Sequence, residues 1–349
     1  MRCIFCMSER PPSLEHIFPL AIGGTITTDR VCKPCNDMLG SRVDAALSDF
    51  FPIRQRRAEL KLAGHGREAP QLFEMLLGDH TLIGPEAKRI QTSFNKRTGK
   101  LDLRQLYHAA DVVLPDGKKA RHITLDARDK DQFPKAIQRE RKRRGLPPLS
   151  DEAMAAEISK CVEQTIENPL VQVNFSVSFA FLRHALIKIA YELAFRWLGE
   201  AYLDDPMATA LRESICKDDM ASTDGLDGFI GELPSSGELF RFWTPQKAHH
   251  LAFATVLPRH SIVIAARVFD LYAVAMPVTR DPTRYLQTAA DASKIRFLAI
   301  DAANRRTIET TWQEELHRIA RAMSMHGRNP PFPDPLFDEK AVEAQFQSA

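Results

Sequence analysis

The pairing of four cysteines near the start of the chain constrains its fold more than any other feature of the sequence. Two CxxC pairs, Cys3/Cys6 and Cys32/Cys35, are separated by 25 residues. At this spacing four thiolates can surround one zinc ion tetrahedrally, which leaves no open coordination position for water. We therefore predict a structural zinc site. Four unrelated buried cysteines would not produce two identical spacings, and a redox dithiol would need one such pair beside a βαβ unit.

The composition is that of a globular protein from a reducing compartment. The chain has 349 residues, 44% hydrophobic and 26% charged, with a net charge of +2, so it is not a polycation that coats nucleic acid indiscriminately. Six cysteines are too few for a disulfide scaffold. No apolar stretch has the length of a membrane-spanning helix, and the N-terminus lacks the apolar segment of a secretory signal. We expect a cytoplasmic protein without a membrane partner.

The pattern of apolar residues predicts a chain in three segments: a small N-terminal block at 1–65, a larger domain at 66–330 and an irregular tail at 331–349. Apolar residues alternate from Val171 to Phe181, which predicts a strand, and an apolar stripe from Leu182 to Leu198 predicts a helix directly after it. Further strands and a closing helix are predicted at 251–257, 261–269, 271–278, 296–301 and 311–323. These elements do not alternate regularly, so the expected class is α+β, with the larger domain a mixed α/β domain of unassigned topology.

Three side chains near the cysteine pairs are candidates for hydrolytic chemistry. Glu15 and His16 lie between the pairs, and Asn36 follows the second pair directly, at the expected start of a helix. Zinc bound to all four cysteines would draw these residues into one neighbourhood. A carboxylate and an amide oxygen suit a magnesium-type ion, and an imidazole can act as a base towards water. A lone histidine is more often a core residue or a zinc ligand, so the catalytic interpretation depends on its neighbours.

The order of these motifs resembles the HNH endonucleases of the ββα-metal fold. A CxxC pair is followed by an acidic residue and His, then by Gly23 and Gly24, and then by a second CxxC pair with Asn directly after it. The resemblance covers the chain from Cys3 to Leu47. It implies an N-terminal ββα-metal module with a structural zinc ion, in which His16 is the general base, and in which Glu15 and Asn36 are catalytic residues that bind Mg²⁺ or Mn²⁺.

Two positions depart from the family pattern. Glu15 stands where the family more often has Asp, and the middle Asn of the signature has no clear counterpart in the loop that carries Asp29. Asp44, eight residues after Asn36 and close to the same helix face, is an additional candidate for the metal site. An ordinary carboxylate on the surface of a helix would give the same sequence pattern, so Asp44 can equally be a residue without a role in the metal site. The glycine pair permits a tight turn or a close backbone approach, whether to a phosphate or to the chain itself.

A basic segment supplies the candidate contacts to nucleic acid. Between Lys88 and Arg144 there are 17 Lys and Arg against 7 Asp and Glu, a surplus of ten. The densest run gives the candidate residues, which are Arg139, Arg141, Lys142, Arg143 and Arg144. Such a run can contact phosphates, but a solvated helix face or a loose basic linker has the same composition.

The sequence therefore predicts a metal-dependent endonuclease that hydrolyses phosphodiester bonds, with DNA preferred to RNA because most of the family acts on DNA. A nuclease module joined to a larger domain resembles the effectors of bacterial restriction and anti-phage defence. That analogy implies an activating ligand or protein for the larger domain, and double-strand cutting would call for a homodimer. The alternative is a non-catalytic zinc module that binds nucleic acid or a protein partner.

Overall fold

A computed structural model describes residues 1–64, 68–71, 74, 76–83, 88–95, 97–167, 169–173, 179–217, 223, 225–257 and 261–326. The chain divides into two units. Unit 1 combines Met1–Pro70 with Val177–Ala349, and unit 2 is Gln71–Ser176. The N-terminal block thus shares a unit with much of the predicted larger domain, which differs from the predicted boundary near residue 65. The physical reason is an apolar core that both segments build together.

Unit 1 begins with a small ββα arrangement. Strand β1, Pro12–His16, pairs antiparallel with β2, Thr27–Cys32. Helix α1, Lys33–Met38, starts at the end of β2 with a proline in its first turn, where a missing N–H costs nothing. Three helical segments follow in succession, a π-helical turn at Leu39–Asp44, α2 at Ala45–Asp49 and α3 at Phe51–Glu59. The small N-terminal ββα module expected from the sequence is confirmed.

The described residues of unit 2 form short antiparallel strands and two α-helices. Its strands are β3 Gly78–Leu82, β4 Arg89–Asn95, β5 Lys100–Gln105, β6 His108–Val113, β7 Lys119–Thr124 and β8 Val171–Gln172. They form a four-stranded sheet in the order β5-β4-β3-β8 and a separate β6-β7 hairpin. Between β7 and β8 lie α4, Phe133–Arg143, and α5, Asp151–Ile158, which begins at a Ser150 cap.

In the rest of unit 1, the described residues form a six-stranded antiparallel sheet and three α-helices. The helices are α6 Phe179–Leu198, α7 Pro206–Cys216 and α8 Trp312–His326. The strands are β9 Phe229–Glu232, β10 His249–Leu257, β11 Ser261–Val268, β12 Tyr272–Thr279, β13 Arg296–Asp301 and β14 Arg306–Thr311. Their order in the sheet is β14-β13-β10-β11-β12-β9. The four strands and the closing helix predicted in this region are confirmed, and with them the α+β class.

Alternating side chains give this sheet two apolar faces. In β10, Ala252 and Ala254 belong to the larger core, which also contains α6 and the apolar residues of the N-terminal block. Leu251 and Phe253, on the opposite face, belong to a smaller core that includes Trp243. A period of two therefore places the sheet between two cores, and the N-terminal block packs into the larger one.

Helix α6 is the central element of the larger core. It packs against β11, β12, α7 and the N-terminal α2. The predicted strand at 171–181 is wrong at its C-terminal end, because Phe179 and Phe181 lie in α6; its residues 174–178 lie outside the described residues. A helix that is buried almost all round has no polar face, so its first residues fit a period of two as well as one of 3.6. Among the described residues, no helix is long and apolar enough to cross a membrane.

Candidate functional site

The four cysteines of the CxxC pairs converge on one point, and we call them the cysteine cluster. One sulfur from each of Cys3, Cys6, Cys32 and Cys35 lies within 4.8 Å of the others. The Sγ atoms of Cys6 and Cys32 are 3.7 Å apart. Zinc–sulfur bonds of 2.3 Å in tetrahedral geometry place neighbouring sulfurs about 3.8 Å apart, whereas a disulfide would hold them near 2 Å. The donor set and its spacing therefore fit a zinc ion.

Backbone hydrogen bonds shape the two cysteine turns. The amide of Met7 donates to the carbonyl of Cys3 at 2.9 Å, which closes the first turn. The amide of Cys32 donates to Sγ of Cys3 at 3.4 Å, and Cys32 is also the N-cap of α1, so Cys35 lies in the first turn of that helix. Each pair therefore presents its sulfurs from a tight turn, and together they join the N-terminus to the β2–α1 corner.

Asn36 ties α1 to β1. Its amide nitrogen donates to the hydroxyl of Ser13 at 2.9 Å and to the carbonyl of Leu14 at 2.7 Å. The register of β1 on β2 shifts between Ser13 and Glu15, which indicates a bulge at this point. The amide group thus stabilises the strand where its pairing is irregular, directly before the two candidate residues Glu15 and His16.

Glu15 and His16 end β1 and differ in their surroundings. Glu15 is buried, with 3% of its surface exposed, and pairs with Thr28 of β2. His16 pairs with Thr27 and is only half-buried. Consecutive residues of a strand point to opposite faces. The carboxylate therefore points into the core, while the imidazole remains accessible to solvent.

Residues 3–52 match the family model of the HNH endonucleases. The match begins at the first cysteine and ends at the start of α3, so the resemblance expected from the sequence is confirmed for this segment, which we call the HNH module. It supports a nuclease-type function. No curated protein matches the chain, and no solved structure matches it.

Helix α6 lies outside the HNH module in the sequence but contacts it, and three of these contacts involve a polar or charged group of the module. The hydroxyl of Tyr191 donates to the carbonyl of Ile4, inside the first cysteine turn. The guanidinium of Arg30 in β2 lies 5.4 Å from the centre of the Phe195 ring, a cation–π distance. The third of these contacts is made by Lys188. A single helix from the far part of the chain therefore supports both strands of the module.

Lys188 stands at the centre of a buried charged group that also contains Glu15, Asp44 and Glu192; we call it the acid–lysine cluster. The Nζ atom of Lys188 lies 2.9 and 3.0 Å from the two carboxylate oxygens of Asp44 and forms an ion pair with Glu15. It also donates to the backbone carbonyl of His16 at 2.9 Å. Glu192, one helical turn further along α6, has its Oε2 atom 3.7 Å from Nζ.

Burial and charge act in opposite directions on these groups. Burial raises the pKa of Glu15 and of Asp44, and the neighbouring Lys188 ammonium partly reverses that effect. Burial alone would lower the pKa of Lys188, but the carboxylates of Asp44, Glu192 and Glu15 outweigh it and raise that pKa. Burial raises the pKa of Glu192 well above its usual value. Lys188 therefore keeps its charge, and Glu192 is the carboxyl group that most favours its protonated form.

The residues predicted to bind the catalytic ion do not present a suitable set of oxygen ligands in this arrangement. Mg²⁺ and Mn²⁺ need several oxygen atoms free to coordinate. The carboxylates of Glu15 and Asp44 are bound to Lys188, and the amide nitrogen of Asn36 faces β1. Within the described part of the chain, the cysteine cluster is the group of three or more His, Cys, Asp or Glu side chains whose ligand atoms lie close enough to hold one metal ion.

The glycine pair is required by packing inside the protein. A side chain on Gly23, which has a φ of +84°, would collide with Ala302, and one on Gly24 would collide with the backbone of Phe18. The two glycines therefore allow the loop to lie close to other parts of the same chain, and phosphate binding is not needed to explain them. The same loop is held by His250, whose Nε2 lies 2.9 Å from the carbonyl of Ile22.

His250, to which the sequence assigned no role, is a buried neutral link. Its ring stacks on Phe18 with centroids 5.2 Å apart, and its Nδ1 accepts a hydrogen bond from the amide of Phe269 at 3.1 Å. Since Nδ1 is an acceptor, Nε2 carries the proton and donates to Ile22. Burial lowers the pKa of His250 to about 4. The imidazole therefore joins the glycine loop to the turn between β11 and β12 without a charge.

The candidate basic residues lie on and just after α4 in unit 2, where several contact neighbours within that unit. The guanidinium of Arg139 lies 4.4 Å from the centre of the Tyr107 ring, and Arg143 pairs with Glu140 at 2.9 Å. Arg141 donates to the carbonyl of Pro147. Lys142, Arg143 and Arg144 are exposed. Contact with nucleic acid at this run stays a prediction.

Proposed function

We propose that this protein is an endonuclease that hydrolyses phosphodiester bonds in DNA, with His16 of the HNH module as the general base. The observation that carries the proposal is the match of residues 3–52 to the HNH endonucleases, over a segment in which the cysteine cluster and Asn36 fix β1. His16 ends that strand and is partly accessible to solvent. An accessible imidazole on a rigid strand is suited to proton transfer.

In the proposed reaction a nitrogen of the His16 imidazole accepts a proton from water as the water oxygen attacks phosphorus. The bond between phosphorus and the 3′ oxygen breaks, and the departing oxygen takes a proton from solvent. A positioned general base contributes about 10²- to 10⁴-fold to such a rate. A requirement for Mg²⁺ or Mn²⁺ stays a prediction, and so do the homodimer, the activating partner and the role in anti-phage defence.

One observation favours the second candidate function, a zinc module that binds nucleic acid without cutting it. Both Glu15 and Asp44, the carboxylates expected near a catalytic ion, are already bound to Lys188. A module whose acidic groups are neutralised internally can still present its surface to a phosphate backbone. The two functions share the same fold and differ only in whether a bond is broken.

The experiment measures the cutting of plasmid DNA and of a structured RNA by the zinc-loaded full chain, with Mg²⁺, with Mn²⁺ and without added ion. His16→Ala is compared with His317→Ala, which makes the same change at an exposed position of α8. Cutting that is lost in His16→Ala and kept in His317→Ala supports the proposal. Equal cutting by both variants contradicts it, and binding of DNA without any cutting supports the second function. The preferred nucleic acid decides between DNA and RNA.

A further inference from the structure

The ammonium of Lys188 has a complete set of acceptors inside the protein. Lys188 has no exposed surface. An ammonium group has three N–H donors, and three acceptor groups surround this one: the carbonyl of His16, the carboxylate of Asp44 and the carboxylate of Glu15. Each N–H donor therefore has an acceptor within the protein. The acid–lysine cluster is a shell of acceptors around the Lys188 nitrogen, in which the carboxylates of Glu15, Asp44 and Glu192 share one positive charge.

Two of these acceptors belong to the segment that carries the candidate chemistry. Glu15 and His16 are consecutive residues at the end of β1, and Asp44 ends the π-helical turn after α1. The cation comes from α6, 172 residues after His16. One side chain thus fixes the backbone carbonyl of His16 and forms ion pairs with the carboxylates of Glu15 and Asp44.

The position of Lys188 in α6 ties this contact to the packing of the whole helix. The helix is buried from Leu182 through Leu198 except at a few positions, and it packs against the sheet and against α7. Removing Lys188 from its shell would require α6 to leave the larger core. If Lys188 blocked the site only reversibly, we would expect it on an element with less buried surface, which can open more easily.

We propose that Lys188 is the resident cation of the HNH module: it takes the place of a divalent ion at Glu15 and Asp44, and it is a positioning residue for His16 through the His16 carbonyl. Glu15 then serves as a partner of Lys188 and is not a metal ligand. The role of Lys188 in positioning the base rests on the proposed function, whereas the exclusion of a divalent ion from Glu15 does not.

The first test measures binding of Mn²⁺ to the zinc-loaded full chain by the loss of the free-ion signal in electron paramagnetic resonance. Glu15→Gln is compared with Glu9→Gln, an exposed carboxylate near the first cysteine turn. The proposal expects equal Mn²⁺ binding by both variants and the wild type. Since loss of a ligand weakens metal affinity by about tenfold or more, such a loss in Glu15→Gln alone would overturn the proposal. Mn²⁺ does not displace zinc from thiolates, because it is the weaker binder.

A second measurement follows folding stability and begins with the wild-type protein. Thermal unfolding of the wild-type protein is followed with and without millimolar Mn²⁺ at constant zinc. An ion bound to the buried carboxylates would stabilise the folded state by mass action, whereas the proposal expects a shift of the unfolding temperature below about 1 °C. A larger shift that is absent in Glu15→Gln overturns the proposal. Neither of these measurements uses nuclease activity, so failure here is distinct from failure of the proposed function.

The role of Lys188 in positioning His16 is tested in a protein from which the charges of Glu15 and Asp44 have both been removed. In a Glu15→Gln/Asp44→Asn parent, Lys188 can still donate to His16, and Lys188→Met in that parent removes the donor. For protein of equal zinc content and equal circular dichroism, the proposal expects kcat to fall about tenfold or more, with KM changed by less than about threefold. Equal kcat values would assign Lys188 a merely structural role and overturn this part of the proposal.

Discussion

The cysteine cluster and the acid–lysine cluster lie in the same module and stabilise it in opposite ways. The first draws its four ligands from residues 3–35 and would take its metal ion from solution, whereas the second spans residues 15–192 and contains its own cation. Helix α6 reaches both, through Tyr191 at the first cysteine turn and through Lys188 at β1. The cysteine cluster, with ligands close together in the sequence, orders the chain near itself. The acid–lysine cluster, with its cation on α6, makes the folding of the HNH module depend on the rest of unit 1.

The largest effect is expected from removing a ligand of the cysteine cluster. Cys35→Ser should lose zinc and unfold the HNH module, because zinc binding contributes on the order of 10 kcal/mol in small zinc domains. Zinc content and circular dichroism measure this. Cys161→Ser, at an exposed cysteine of unit 2, is the matched control and should retain both. A Cys35→Ser protein that stays folded would show that α6 alone can hold the module.

Removing the resident cation should have the next largest effect. Lys188→Met leaves Glu15 and Asp44 buried without a counter-charge, which costs about 3–5 kcal/mol. Urea unfolding measures the loss. The control is Lys217→Met, which removes an exposed lysine 3.7 Å from Glu213 and should cost less than about 1 kcal/mol. Similar values for the two variants would mean that the acid–lysine cluster contributes little and that the comparison fails.

The buried, uncharged His250 should make the folding stability of unit 1 depend on pH. Its pKa is lowered from 6.5 to about 4 by burial, so between these values the unfolded chain binds a proton that the folded chain does not. Folding stability should therefore decrease as the pH falls through this range, by about 2 kcal/mol between pH 7 and pH 5 from this residue. We expect His250→Gln to be less stable at pH 7 but to lose less stability on acidification. Parallel curves of unfolding free energy against pH for the two proteins would contradict this.

The smallest effect on stability is expected at the proposed base. His16 is half-buried and its side chain can be removed at a cost of less than about 1 kcal/mol, because a partly exposed residue leaves little cavity. Cutting of DNA should nevertheless fall about 100-fold or more. Thermal unfolding and a plasmid assay on the same preparation separate the two. If His16→Ala loses as much structure as Cys35→Ser, His16 belongs with the zinc ligands.

The sequence predicted features that depend on residues near one another in the chain and missed those that depend on distant residues. The cysteine pairs and the four strands predicted in the larger sheet depend on residues near one another in the chain, so spacing and periodicity were sufficient. The ββα order followed from the resemblance to the HNH endonucleases. The partner of Glu15 was beyond that reach, because no local pattern connects it to Lys188. A signal did exist: Lys188 and Glu192 are oppositely charged residues one turn apart in a helix whose residues are mostly apolar, and such a pair is expected to be buried together. The strand predicted up to Phe181 failed because a helix without a polar face has no distinctive period at its start.

The length of chain between the two parts of the acid–lysine cluster also sets an order of events during synthesis. Lys188 follows Asp44 by 144 residues. At a translation rate of about 5–20 residues per second, roughly 10–30 seconds pass between the two. The cysteine pairs can take up zinc early in that interval, while Glu15 and Asp44 still have no cation of their own. The newly made module therefore reaches its final form only when the ribosome has delivered a helix from the middle of the protein.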